Sequence, residues 1–316
     1  MVHMKEQQAF YQTFLAKHRL PESYGNSAQV NFEPVAQAIL EQQVIKQAPY
    51  FVGVNGCQGS GKTTLADYLV QWFEAQGKSA LAISLDDFYL TKAERRELAE
   101  YVHPLFKTRG VPGTHDTALM VNVLSSLAVG KATNIPRFDK SIDDRVELSE
   151  WTTITQPVDI IVFEGWCWGA RHQTEDALDA PVNSLESEQD AEGIWRRHVN
   201  TLLTTDYEPL YAFMDCWLML KAPSFECVYQ WRLEQEEKLK AKLQSSTNKA
   251  SMSGLMSPEQ IAEFIQFYQR ITDELLSRLP EQADVVWQLN ADQGIQAWTA
   301  RHTFSHLNSI SHSEGE

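Results

Sequence analysis

The chain has 316 residues, with 27 Lys and Arg against 42 Asp and Glu, and a formal charge of −15 at neutral pH. That balance argues against a nucleic-acid or anionic-membrane surface, because phosphate contacts need clustered basic residues. It still allows a small anion held by a few local cations. Hydrophobic content of 43% is enough for a large core, and no apolar run approaches the roughly 20 residues of a membrane-spanning helix.

The first eight residues, Met1 to Gln8, do not form the apolar segment of a secretion signal, so a cytoplasmic setting is expected. Cys57, Cys167, Cys216 and Cys227 make no C-x-x-C pair and read as reduced thiols. Residues 1–48 read as a helical extension packed on a core domain spanning 49–316. One amphipathic piece lies near Gln7–Lys17 and another near Glu33–Gln47, with Pro21-Glu22-Ser23-Tyr24-Gly25-Asn26-Ser27 as a loop between them.

Tyr50-Phe51-Val52-Gly53-Val54 is a short apolar run, expected as a buried strand. It leads into Gly56-Cys57-Gln58-Gly59-Ser60-Gly61-Lys62-Thr63-Thr64, which fits G-x-x-x-x-G-K-[ST]. Leu65, Leu69, Trp72 and Phe73 then recur at helical spacing, and Gly77 offers a stop. Strand, glycine turn and helix together are the context of a phosphate-cradling loop. Its glycines let amide N–H groups crowd an anion at a helix N-terminus. Lys62 is expected to reach the β- and γ-phosphates of a nucleotide, and Thr63 to ligate Mg²⁺.

Ser79 to Leu85 reads as a second buried strand, ending in Asp86-Asp87-Phe88-Tyr89. Open parallel sheets place their chemistry at the carboxyl ends of strands. Asp86 is therefore expected to accept the proton of an acceptor hydroxyl, and Asp87 to hold a metal-bound water or orient a partner. A charged helix over 91–100 follows, then the Gly- and Pro-rich loop Arg109 to Asp116, and a helix capped by Thr114 or Asp116 that runs to about Val129. Asn134 to Arg145 is polar and loop-like. Val158 to Phe163 is a third buried strand, which places Glu164 where a metal-side carboxylate is expected.

Residues 173–193 are acidic and poor in apolar side chains, and read as a surface insertion. A helix near Ile194–Leu203 and a fourth strand over Ala212–Lys221 follow. Pro223 opens a long helix to about Leu243, and the small polar stretch Ser245–Ser257 reads with it as a lid spanning about 223–257. Arg232 on that lid is expected to close over the phosphates. An amphipathic helix over Pro258–Leu279, a fifth strand over Ala283–Leu289 and a turn at Asn290–Gly294 near the adenine complete the elements. The last dozen residues are expected to fray.

The phosphate loop, Ser84-Leu85-Asp86-Asp87-Phe88-Tyr89 and Phe163-Glu164-Gly165 together resemble the phosphoribulokinase, uridine kinase and pantothenate kinase superfamily. Within it the chain is similar to the D-glycerate 3-kinase branch. That likeness rests on Arg109-Gly110-Val111-Pro112-Gly113-Thr114-His115-Asp116, Pro136-Arg137-Phe138-Asp139-Lys140-Ser141 with Asp144-Arg145, Glu164-Gly165-Trp166 and Val228 to Glu236, and spans roughly residues 50–290. The stretch between Ser141 and Asp144 is shorter than the branch's pattern.

The resemblance implies an α/β P-loop kinase fold, with a central parallel sheet, helices on both faces and a lid helix. It implies transfer of the γ-phosphoryl of ATP to a primary hydroxyl, in this branch that of the hydroxy acid D-glycerate. A carboxylate-bearing acceptor calls for cations, and Arg109, His115, Arg137 and Lys140 are the candidates, with Tyr89 and Asp86 beside them. Two readings remain beside it. One keeps the chemistry with another acceptor, such as uridine or pantothenate. The other is a nucleotide-binding switch, although Asn248-Lys249-Ala250-Ser251 fails the N-K-x-D guanine signature at its last position.

Overall fold

β1 (Tyr50–Gly56) is buried along its whole length, as expected of a strand covered on both faces. The computed structural model describes residues 2–245 and 256–309. Ahead of β1 come α1 (Val2–His18), α2 (Glu22–Asn31) and α3 (Glu33–Lys46). After it come α4 (Lys62–Ala75), β2 (Ala80–Ser84), α5 (Lys92–Tyr101) and α6 (Thr117–Ala128). Four short strands follow, β3 (Thr133–Ile135), β4 (Phe138–Asp139), β5 (Asp144–Arg145) and β6 (Thr152–Ile154), before β7 (Ile160–Gly165). Then come α7 (Glu175–Asp179), α8 (Ser184–Gln189), α9 (Ile194–Leu202), α10 (Glu208–Tyr211), β8 (Cys216–Lys221), α11 (Phe225–Ser245), α12 (Pro258–Gln282), β9 (Val285–Leu289) and β10 (Ile295–Ala300).

The main sheet has six strands in the order β10-β9-β8-β1-β7-β2. Every pairing in it is parallel except that of β10 with β9. Two buried apolar layers cover its faces. One joins α1, α3 and α4 to the sheet through Phe14, Val35, Tyr68 and Trp287. The other joins α6, α9 and α12 through Leu124, Val199 and Leu275. Helices on both faces of a mostly parallel sheet place this fold in the α/β class, as expected. Among the described residues no helix is long and apolar enough to cross a membrane.

Several elements differ from expectation. Pro21–Ser27 is not a loop, because Pro21 with extended φ and ψ caps α2. Gly25 inside that helix is buried, and a Cβ there would touch Leu15 of α1 at 3.4 Å. The glycine lies where α1 and α2 pack together and not in a turn. The fourth strand starts at Cys216, because Phe213 and Met214 still donate their N–H groups to Leu210 and Tyr211. β10 was not expected, and beyond it His302–Ser309 is helical with Phe304 and Leu307 buried, so the tail is anchored there. Most of the expected lid loop, 246–255, lies outside the described residues, as do 310–316.

The stretch 173–193 carries α7 and α8, and two ion pairs buried on both sides bind it to its neighbours. Arg270 of α12 donates through Nε and Nη2 to Glu186 at 2.8 and 2.6 Å, and Arg196 pairs with Asp190 at 3.0 Å. Removing one partner strands the other charge away from water. Arg270→Met should therefore lower unfolding free energy by about 3–5 kcal/mol in urea titrations. Pairing it with Glu186→Leu should cost less than the single change; a double variant as weak as the single would disprove the role given to the unpaired charge.

Candidate active site

The loop between β1 and α4 turns through Gly59 (φ 82°) and Gly61 (φ 90°), conformations that L side chains rarely adopt. A Cβ built on Gly61 would meet nothing within 4 Å, so the loop faces open space; one on Gly59 would strike Trp231 Cβ at 2.6 Å. Gly61 is followed at once by Lys62, the first residue of α4, which points that helix's N-terminus into the opening. The opening is a cleft of about 790 Å³. Gln58, Gly59, Lys62 and Thr63 line it, while Cys57 and Ser60 are buried within the loop. Burial pushes the Cys57 thiol up to about 12 in spite of Lys62, so it is not a reactive thiolate.

Across from the loop, Glu164 is the last residue but one of β7. The parallel register sets Val54 of β1 and Ser84 of β2 on either side of it. Thr63 Oγ1 donates to Glu164 Oε1 at 2.8 Å. Glu164 Oε2 is buried without a hydrogen-bond partner among the described residues. A hydroxyl and a half-satisfied buried carboxylate side by side fit a hard cation that takes its remaining ligands from phosphates and water. Consistent with such a sparse protein donor set, no cluster of three or more His, Cys, Asp or Glu able to hold a metal occurs among the described residues.

Asp86 sits in the 3₁₀ turn Leu85–Phe88, capped by Ser84 Oγ, which accepts the Asp86 N–H at 3.3 Å. Lys140 Nζ lies 2.6 Å from its Oδ2, and the Tyr89 hydroxyl donates to Oδ1 at 2.8 Å. Burial alone would raise this carboxyl. The Lys140 and Lys62 cations, with the Lys140 and Tyr89 hydrogen bonds, outweigh burial and hold it at about 2. Asp87 accepts the Phe138 N–H at 3.3 Å and lies 3.7 Å from Arg137. Burial raises its carboxyl in spite of these contacts. Both carboxylates line the cleft with Tyr89, Arg109, Arg137, Lys140 and Arg232.

His115 departs from expectation. It lies behind Tyr89, its ring stacked on that tyrosine with centroids 4.7 Å apart, and it is not among the cleft's lining. Nδ1 lies 2.6 Å from the Tyr207 hydroxyl, and Nε2 is buried without a partner. Burial drives its pKa down to about 3, against the pull of Asp86. At neutral pH the ring is uncharged and braces Tyr89, so it is not a cation for the acceptor. Arg109 does reach the cleft, but its guanidinium pairs with Asp143. Arg232 is held by Glu236 one turn further along α11, at 2.8 Å. The Asn290–Gly294 turn does not line the cleft; Ala291 O accepts the Trp231 indole N–H at 2.6 Å.

Other groups escaped the sequence reading. Phe264 and Tyr268, on the helix expected only to be amphipathic, face the cleft. A side chain at Gly110 (φ 135°) would strike the Tyr268 ring, whose hydroxyl donates to Arg109 O at 3.3 Å. The Trp166 indole N–H donates to Gly110 O at 2.9 Å. Lys17 and His18, at the end of α1, line the cleft beside Asp67 of α4 at 2.8 and 2.5 Å. No local pattern in residues 1–20 announces that placement.

Known proteins resemble this one in the same parts. Residues 51–196 match the model of the phosphoribulokinase / uridine kinase family. The protein called uncharacterized kinase mug58, from Schizosaccharomyces pombe, is 34% identical over 254 residues, 77% of this chain and 87% of the relative. The chloroplastic D-glycerate 3-kinase of Arabidopsis thaliana is 31% identical over 230 residues, 70% of this chain but 46% of that protein. The structure of a D-glycerate 3-kinase from Cryptococcus neoformans var. grubii superposes with a TM-score of 0.68 at 26% identity, covering 84% of this chain and 98% of the other. By these likenesses the chain belongs to the phosphoribulokinase/uridine kinase family of phosphotransferases.

Proposed function

We propose that the protein transfers the γ-phosphoryl of ATP to the primary hydroxyl of a small hydroxy acid, D-glycerate being the acceptor that fits best and 3-phosphoglycerate the product. The observation that carries this reading is Asp86 in the cleft opposite the phosphate loop, with the exposed Lys140 ammonium 2.6 Å away. The pair presents a hydrogen-bond acceptor for an alcohol next to a cation for a carboxylate. Arg137 adds a second exposed cation. Two relatives bear the name D-glycerate 3-kinase. An uncharged acceptor such as uridine would bring no carboxylate to these two exposed cations, which would stay on Asp86 and Asp87. The cytoplasm is the proposed setting.

The loop amides and Lys62 hold the β- and γ-phosphates. Thr63 and Glu164 would hold Mg²⁺, which when bound neutralises charge on the phosphates. Arg232, once released from Glu236, adds a further positive charge over the transferring group. With its pKa near 2, Asp86 is ionised throughout the working range and accepts a hydrogen bond from the acceptor hydroxyl, aiming it in line. The loose transition state of phosphoryl transfer puts little demand on base strength before the new bond has formed. When the acceptor carboxylate draws Lys140 to itself, Asp86 loses its nearest cation and becomes a better proton acceptor as the reaction proceeds.

ADP release should be fastest with D-glycerate in a panel that includes uridine and pantothenate; preference for an uncharged acceptor would refute this reading. In the same assay Asp86→Asn should lower kcat by about 10²–10⁴-fold with the melting temperature largely kept. Lys140→Met should raise the D-glycerate KM by about tenfold or more. The same change removes a cation that depresses Asp86, so the acid limb of kcat/KM should move to higher pH, and an unmoved limb would separate Lys140 from Asp86 in function. His115 yields a stability test. Between its ordinary value of 6.5 and about 3 the unfolded chain binds a proton that the fold excludes. Stability is therefore lost as the pH is lowered through that window, by up to about 1.4 kcal/mol per pH unit. His115→Asn should flatten that slope in urea titrations at pH 7 and pH 5; an unchanged slope would show that the ring takes up its proton in the folded state.

A further inference from the structure

Beside the cleft lies a second cavity, of about 270 Å³, whose walls carry Lys92, Arg95, Arg96, Lys107 and Arg109 against a single acid, Asp143. On a chain of net charge −15 this is a local inversion of sign. Asp143 is already shared between two of the cations, since Arg95 Nη2 lies 3.0 Å from its Oδ2 and Arg109 pairs with its Oδ1. Arg95 is buried and spends its other N–H groups on Leu90 O at 3.2 Å and Lys107 O at 3.0 Å. Lys92, Arg96 and Lys107 are exposed, and no carboxylate among the described residues pairs with their side chains. Like charges gathered in a concave wall repel one another and focus potential into the hollow.

We propose that this cavity is a binding site for a small phosphate-bearing anion, separate from the phosphate loop. Its volume lies just under the range of about 300–1,000 Å³ usual for drug-sized ligands, which suits inorganic phosphate or a phosphorylated acid of a few carbons and excludes a nucleoside triphosphate. The site is coupled to the cleft, because Arg109 and Phe264 form walls of both. Arg109 has its guanidinium on the Asp143 side. An anion held by Arg96 and Lys107 strengthens that commitment and withdraws Arg109 from whatever negative charge the acceptor brings to the cleft. Occupancy therefore weakens acceptor binding and leaves the phosphate loop untouched. The ligand acts as a brake that responds to the supply of phosphorylated metabolites.

The test saturates the full-length protein with a non-hydrolysable ATP analogue and Mg²⁺, which fills the loop, and titrates inorganic phosphate by calorimetry. One phosphate per chain should bind saturably. The double change Arg96→Ala/Lys107→Ala, on exposed side chains outside the catalytic set, should weaken it at least tenfold with the melting temperature unchanged. In turnover assays phosphate should raise the acceptor KM about fivefold or more in the native protein with kcat unaltered, and the double variant should lose that response while keeping basal turnover. Should the double variant melt lower, Lys107→Gln alone carries the same comparison. Equal phosphate affinity in native and variant proteins, absence of binding in both, or a KM effect that survives the substitutions each overturns the proposal. Calorimetry needs no acceptor, so its outcome stands apart from the choice of D-glycerate.

Discussion

Parallel pairing of β7 between β1 and β2 decides where the reacting groups stand. Glu164 is level with Val54 on one side and Ser84 on the other. Two residues beyond that row the chain enters the phosphate loop at Gly56 on β1, and reaches Asp86 beyond β2. Strand direction and register thus deliver the glycine loop and the carboxylates Glu164 and Asp86 to one edge of the sheet, the placement on which their proposed roles rest. A slip of one residue would turn Glu164 to the opposite face. Asn55 guards the register, its buried amide donating to Trp166 O at 3.1 Å and Trp168 O at 2.8 Å. The turn after Glu164 is thereby tied to the strand that carries the loop.

That convergence concentrates charge. Glu164 interrupts an otherwise apolar buried strand, and a carboxylate there is costly unless paired or ligated. The Thr63 hydroxyl satisfies one oxygen; a cation would satisfy the other. Asp86 is stabilised differently, by the exposed ammonium of Lys140 and the buried hydroxyl of Tyr89. Tyr89 in turn rests on the neutral His115, itself held by Tyr207. Tyr207 lies in a π-helical turn, Leu203–Tyr207, which widens α9 at its end. A run of aromatic groups so connects an irregular helix turn to Asp86.

Much of this was legible in the residues because the strongest signals are local. The phosphate loop declares itself by glycine spacing, and the inner strands by continuous apolar runs. Asp86 and Glu164 follow from the rule that parallel strands carry chemistry at their carboxyl ends. What stayed hidden depends on contacts between distant segments. Gly25 looked like a turn residue, although it lies inside α2 and is buried beside Leu15 of α1. β10 alternates small, polar and aromatic residues on a sheet edge, so no apolar run marks it. His115 was read by its charge when free, whereas burial by Tyr89 and Tyr207 removes that charge. Phe264 and Tyr268 share a helical stripe with core residues, and spacing alone cannot separate a wall of the cleft from the core beneath it.

The N-terminal helices gain a physical role from the same geometry. A helix that offers its N-terminus to phosphates works only if its axis is held while charge gathers at one end. Lys17 and His18 of α1 grip Asp67 one turn and more into α4, at 2.8 and 2.5 Å, and the next residue, Tyr68, donates to Glu33 of α3 at 3.3 Å. Burial opposes ionisation of Asp67, yet the His18 and Lys17 contacts prevail and keep its carboxyl below the usual range. On the same helix Phe14 and Phe32 pack edge-on against the Tyr68 ring, with centroids 5.2 and 5.8 Å away. Polar clamps and aromatic packing from α1 and α3 therefore hold α4 along the flank away from the sheet, as β1 holds it from within. On the proposed reading the extension serves phosphate binding through the helix it braces, even though its own sequence carries no phosphate motif.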